Sequence, residues 1–183
     1  MINFIGASTL KDPIMDASMI TSQLAENKQV FVALLGKLPS HMYLWRSKPD
    51  KWCLLEIIFH LVDEEIEDFR TRVMHVLETP DEPIPPIDPE GWVQQREYFR
   101  QDYSEKLEEF IEERESSVTW LKSLESPQWK NTAQHPKLGP ITAKQLLASW
   151  LAHDYHHIRQ INVVKYEYLK EYSKEDLGYA GKW

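Results

Sequence analysis

The segment LLASWLAHDYHHIRQINVV, residues 146–164, constrains this chain more than any other. Its apolar residues recur three and four positions apart, so it reads as a helix. At about 100° per residue, Leu146, Trp150, Ile161 and Val164 share one face, and His153 and His157 lie in the middle of that arc. His156 sits at its edge near Gln160, and Arg159 points the other way. Imidazole is polar and needs a partner when buried. Two histidines one turn apart on an inward face are therefore the first pointer to function.

The rest of the chain supplies the helices that such a face would pack against. Residues 1–12 read as a loose arm, and Asp12-Pro13 as a helix start. A first helix is expected from Ile14 to about Leu38, inward at Met19, Ile20, Leu24, Val30, Phe31, Leu34, Leu35 and Leu38, and stopped by Pro39. After a turn-rich connector, a second helix is expected from about Lys51 to Leu77 with Asp50 as its cap. Leu54, Ile58, Leu61, Val62, Phe69, Val73 and Val76 form its apolar face. Glu65 falls near the centre of that face, with His60 and Glu64 on its flank. A buried carboxylate is costly without a partner, so Glu65 asks for an explanation.

ETPDEPIPPIDPEG follows, a long proline-rich connection that can cross a bundle end or lie over a pocket. A third helix is expected from about Val93 to Leu124, with Tyr98, Tyr103, Leu107, Phe110, Ile111, Val118 and Leu121 inward and a solvated acidic outer face. Thr142 caps a fourth helix running to about Tyr172, and the tail is short and polar, with Tyr179 and Trp183 as its ordering residues. No stretch alternates with a period of two, so no sheet is expected. Four long amphipathic helices make an all-α four-helix bundle, without internal repeat or second domain.

Composition narrows the function classes. A formal charge of −8 argues against a general nucleic-acid surface. No apolar run of about 18 residues exists, so no membrane span is expected. The N-terminus lacks the basic and apolar segments of a signal peptide. The single cysteine, Cys53, leaves no intramolecular disulfide and suits a cytoplasmic setting. It reads as a small core residue rather than a nucleophile.

His60 precedes His153 by 93 positions (153 − 60), so only the fold can bring them together. Helices two and four can face each other across a bundle core. Three neutral imidazoles with an open position suit Zn, and imidazole also suits Ni, Fe or Cu. His153-x-x-x-His157 is the right spacing for two ligands on one helix, although Asp154 in place of Glu separates it from the zinc-protease motif. Two readings stay open for these histidines, metal ligands or hydrogen-bonded core residues. His156 is read as an edge residue outside any ligand set, and His41, His75 and His135 as connector or helix-end residues. Glu65 is either a buried ion-pair partner or an acceptor orienting an imidazole N–H. Asp154 is read as solvated or as such an acceptor.

Two segments, DKWCLLEIIFHLVDEE and LLASWLAHDYHHIRQI, resemble the signature segments of the DinB-like (DNA-damage-inducible) family of four-helix-bundle metalloenzymes. In the first a Trp precedes a helix carrying a His and an acidic residue five positions on; in the second a His pair is followed by Arg-Gln-Ile. The Leu138-Gly139-Pro140 entry to the last helix also fits, and the resemblance spans about Met15 to Tyr168. It implies a single-domain bundle of up-down-down-up type with long crossover loops. It also implies a divalent metal held by His60, His153 and His157, with Zn or Ni foremost and Fe or Mn next. Glu65 matches the family's acidic position, as an orienting or proton-accepting group. The family includes enzymes that transfer low-molecular-weight bacterial thiols and a thiol-dependent isomerase, and homodimers are common in it.

Two functional expectations follow, from different classes. One is a metal-dependent enzyme acting on a small molecule, a low-molecular-weight thiol S-transferase or a hydrolase, with Trp45, Trp52, Trp150 and the proline-rich loop shaping its pocket. The other is a non-catalytic, stress-related binding bundle with a closed or vestigial site. No nucleic acid or membrane partner is expected in either.

Overall fold

The computed structural model describes residues 15–182. In chain order the helices are α1 (Ala17–Leu35), a one-turn α2 (Ser40–Tyr43), α3 (Leu54–Asp63), α4 (Thr71–Glu78), α5 (Pro89–Gln95), α6 (Tyr103–Ser123) and α7 (Ala143–Ser173). A π-helical segment, Glu64–Arg70, joins α3 to α4, so the expected second helix is one rod with a widened middle. That rod, α1, α6 and α7 form the four-helix bundle, with α1 packed against α6 and α7 and α3 against α6. Among the described residues, no helix is long and apolar enough to cross a membrane.

Local chemistry sets the boundaries, and several differ from expectation. Asp16 caps α1 by accepting from Met19 N. The expected start at Asp12-Pro13, the arm before it and Trp183 lie outside the described residues. Helix α3 begins at Leu54, three residues after the expected Lys51. Its first turn is closed by Glu56, whose Oε2 accepts from Cys53 N, and not by Asp50. The expected third helix is broken in two. Glu97 takes a left-handed conformation (φ 46°), and Asp102 restarts the helix by accepting from Ser104 N and Glu105 N. Thr142 caps α7 as expected, accepting from Gln145 N.

One element was not expected at all. Two four-residue strands, β1 (Thr132–His135) and β2 (Gly139–Thr142), pair antiparallel as a hairpin before α7. Strands this short carry too few residues for alternation to show in a sequence. Gly139, at φ 76°, supplies the left-handed turn residue that returns the chain. The hairpin edge also receives the proline-rich stretch, through Ile84 N to Gln134 O.

The core has two apolar clusters stacked along the bundle. One gathers Phe31, Leu54, Ile58, Val62, Phe110 and Ile161, and the other Leu24, Phe69, Val73, Val118, Leu146 and Trp150. Each of the four rods contributes a buried polar residue to a network near the junction of the two sets: Asn27, Glu65, Arg114 and Asp154. These four residues join one another. Arg114 donates to both carboxylate oxygens of Glu65 (2.9 and 2.9 Å) and to both of Asp154 (2.7 and 2.8 Å), and Asn27 donates to Asp154 (3.1 Å). Burying a guanidinium is tolerable only with such saturation.

Candidate metal centre

His60 occupies the last turn of α3, immediately before the π segment, while His153 and His157 stand one turn apart on α7. Single π turns are uncommon and cluster at functional sites. The two rods bring the three rings together by the same ring nitrogen. His60 Nε2 lies 3.3 Å from His153 Nε2, and His157 Nε2 lies 3.0 Å from His153 Nε2. Nitrogen ligands about 2.0–2.1 Å from a tetrahedral Zn stand about 3.4 Å from one another, so this spacing fits an ion between them. Hydrogen bonding alone serves the trio poorly, because a neutral imidazole carries one N–H and three Nε2 atoms converge here.

The surroundings keep these rings neutral and fixed. Burial, reinforced by the neighbouring histidines, lowers His60 to about 3 and His153 to about 2. Burial also lowers His157 to about 4, against its hydrogen bond to Gln160, which raises it. Neutral imidazole is the ligand form. Phe69 packs on His153 (ring centroids 4.9 Å) and Trp52 on His60 (5.0 Å). Gln160 Oε1 accepts from His157 Nδ1 at 2.7 Å, which leaves Nε2 for a ligand bond.

Above the trio opens a cavity of about 660 Å³, lined among others by Trp52, Glu64, Ile87, Pro89, Lys137 and His156. Its walls come from the connector ahead of α3, the proline-rich stretch and the hairpin tip. Glu64 has its carboxyl raised to about 9, by burial first and then by its hydrogen bond with Asp68.

His60, His153 and His157 form a group whose ligand atoms lie within 4.8 Å of one another. His156 is exposed on the cavity rim, outside that group, as expected. Glu65 does not meet an imidazole. Its oxygens accept from Arg114 and from Trp150 Nε1 (3.0 Å), which makes it the buried ion-pair partner instead of the orienting or proton-accepting group. Asp154 is neither solvated nor an acceptor for an imidazole, because Arg114 and Asn27 occupy it. Trp52 and the proline-rich stretch do line the cavity. Trp150 is buried beneath Phe69, and Trp45 packs away from the cavity on Tyr168 and Tyr172. Glu64 stands on the flank of its helix beside His60, as expected, whereas Arg114 has no place among the residues expected at the site. Arg114 lies four positions after Phe110 and four before Val118, on the inward stripe, and that spacing was the available signal.

A sequence profile of the DinB superfamily matches residues 23–161, a span that includes all three histidines. The chain belongs to the DinB superfamily. Among solved structures it is similar to YfiT from Bacillus subtilis, with 20% identity and a TM-score of 0.73 over 87% of this chain and 93% of that one. YfiT is described as a probable metal-dependent hydrolase with an unusual four-helix bundle topology. This likeness agrees with the bundle assembled above. No curated protein matches the chain.

Proposed function

We propose that this DinB-superfamily protein is a metal-dependent enzyme acting on a small molecule, with one divalent ion held by His60, His153 and His157. The observation that carries the reading is the convergence of three neutral Nε2 atoms at the floor of a solvent-connected cavity. Structural zinc sites are closed by four protein ligands, whereas catalytic ones keep a position open. A group of three histidines under a cavity supports the second kind, and argues against a non-catalytic bundle. Zn and Ni suit an all-imidazole set, as does Fe, whereas Mn prefers oxygen ligands and is the weakest of the candidates.

The first reading of the reaction is transfer of a low-molecular-weight thiol to an electrophile. When bound, the ion supplies Lewis acidity that brings the pKa of a coordinated thiol or water toward neutrality. The chain's own part is to hold the imidazoles neutral and to seat the substrate against Trp52 and the proline-rich wall. The second reading is hydrolysis, favoured by the likeness to YfiT. A cytoplasmic, bacterial setting and a homodimer belong to the same proposal. A screen of Zn- and Ni-loaded protein, pairing electrophiles with several bacterial thiols beside a panel of hydrolysable esters and amides, separates the two reactions. Turnover of no pair and no ester or amide contradicts the enzyme reading.

A further inference from the structure

We infer that Glu64 is the acceptor that orients His60 toward the ion, a positioning residue and not a ligand; this rests on the metal-centre reading above. His60 Nδ1 is buried and has no hydrogen-bond partner, a condition that folded proteins rarely leave standing. Its Nε2 faces His153, so a ligand bond there leaves the ring proton on Nδ1, where it needs an acceptor. Glu64 Oε1 lies 3.9 Å from that nitrogen, one helical turn further on and on the same side. The gap is too long for a hydrogen bond and short enough for a side-chain adjustment to close.

The other rod shows the finished form of this arrangement. His157 Nδ1 already meets Gln160 Oε1, three residues on, at 2.7 Å. Glu64 in turn stands one turn before Asp68, which raises its carboxyl further, and Asp68 Oδ1 is 2.8 Å from Arg72 Nε. The column His60, Glu64, Asp68, Arg72 thus runs along one edge of the rod at intervals of four. Glu65 cannot take this part, since Arg114 and Trp150 occupy its carboxylate.

The test is zinc affinity by competition with a chromophoric chelator, for wild type, Glu64→Ala and Glu64→Gln, with helical circular dichroism confirming that each variant folds. Outer partners of metal-bound histidines are typically worth 10–100-fold in metal affinity, so Glu64→Ala is expected to bind zinc about 10–100-fold more weakly. Glu64→Gln keeps an acceptor oxygen and a donor for Asp68, so it is expected to stay near wild type. Wild-type affinity in Glu64→Ala, or equal losses in both variants, overturns the assignment. A wild-type protein that binds no zinc overturns the metal centre itself, a different result from a flat series among binding variants.

Discussion

Arg114 and Asp154 meet through two hydrogen bonds of 2.7 and 2.8 Å, and Asp154 is the residue directly after His153. The guanidinium that grips α7 at this point also grips the π segment through Glu65, five residues after His60. One buried cation thus ties together the two rods that carry the histidines. The relationship joins fold to site, because the register of α7 against α3 decides whether the three Nε2 atoms converge.

Replacing Arg114 should therefore be severe. Arg114→Leu leaves Glu65 and Asp154 buried without their cation, and breaking such a set by removing one partner costs about 3–5 kcal/mol. Arg114→Lys should recover only part of this, as an ammonium cannot reproduce two bidentate contacts. Urea unfolding is the measurement. A loss below about 1 kcal/mol for Arg114→Leu would contradict the role given to this network.

The three histidines should behave unlike their neighbour. His60→Ala, His153→Ala and His157→Ala are each expected to lose the ion on gel filtration, and His156→Ala to keep it. His156 stands on the cavity rim outside the ligand group. Metal content after filtration decides, and loss in His156→Ala equal to that in His157→Ala would be inconsistent with the assignment.

Acid should expose the cost of burying His153. Its folded-state pKa is lowered from 6.5 to about 2, by burial first and then by His157 and His60. Between those values the unfolded chain binds a proton that the folded chain refuses, so this group's contribution is complete above about pH 6.5 and is lost as pH falls toward 2. In ion-free protein, His153→Leu removes that pH-dependent penalty. It should raise stability relative to wild type by more at pH 5 than at pH 8. Urea midpoints at the two pH values test this, and an equal change at both counts against a neutral buried imidazole.

Much of this was legible in the sequence, for reasons that particular residues make plain. The bundle was readable because stripes such as Leu24, Phe31 and Leu35 repeat at helical spacing over long segments. His153 and His157 stood out because they interrupt such a stripe on the inward side. Glu65 stood out for the same reason, and of its two readings the ion pair is the one the fold realises; its partner Arg114 stayed hidden because it sits among the acidic residues Glu112, Glu113 and Glu115. Periodicity gives a direction within a helix but not the partner across the core. The hairpin stayed hidden for want of length, and the π segment because one widened turn barely changes an apolar pattern.

Cys53 should be chemically silent in the native protein. It is fully buried, and burial pushes its thiol up to about 11. A thiol reagent should label it only on unfolding, in step with the loss of helical signal. Rapid labelling of folded protein at pH 8 would contradict this and would reopen Cys53 as a nucleophile.

The most direct test is elemental analysis of the protein as isolated and after exposure to Zn and Ni. About one divalent ion per chain is expected, lost in His157→Ala. A wild-type protein that stays metal-free after equilibration with either ion would contradict this.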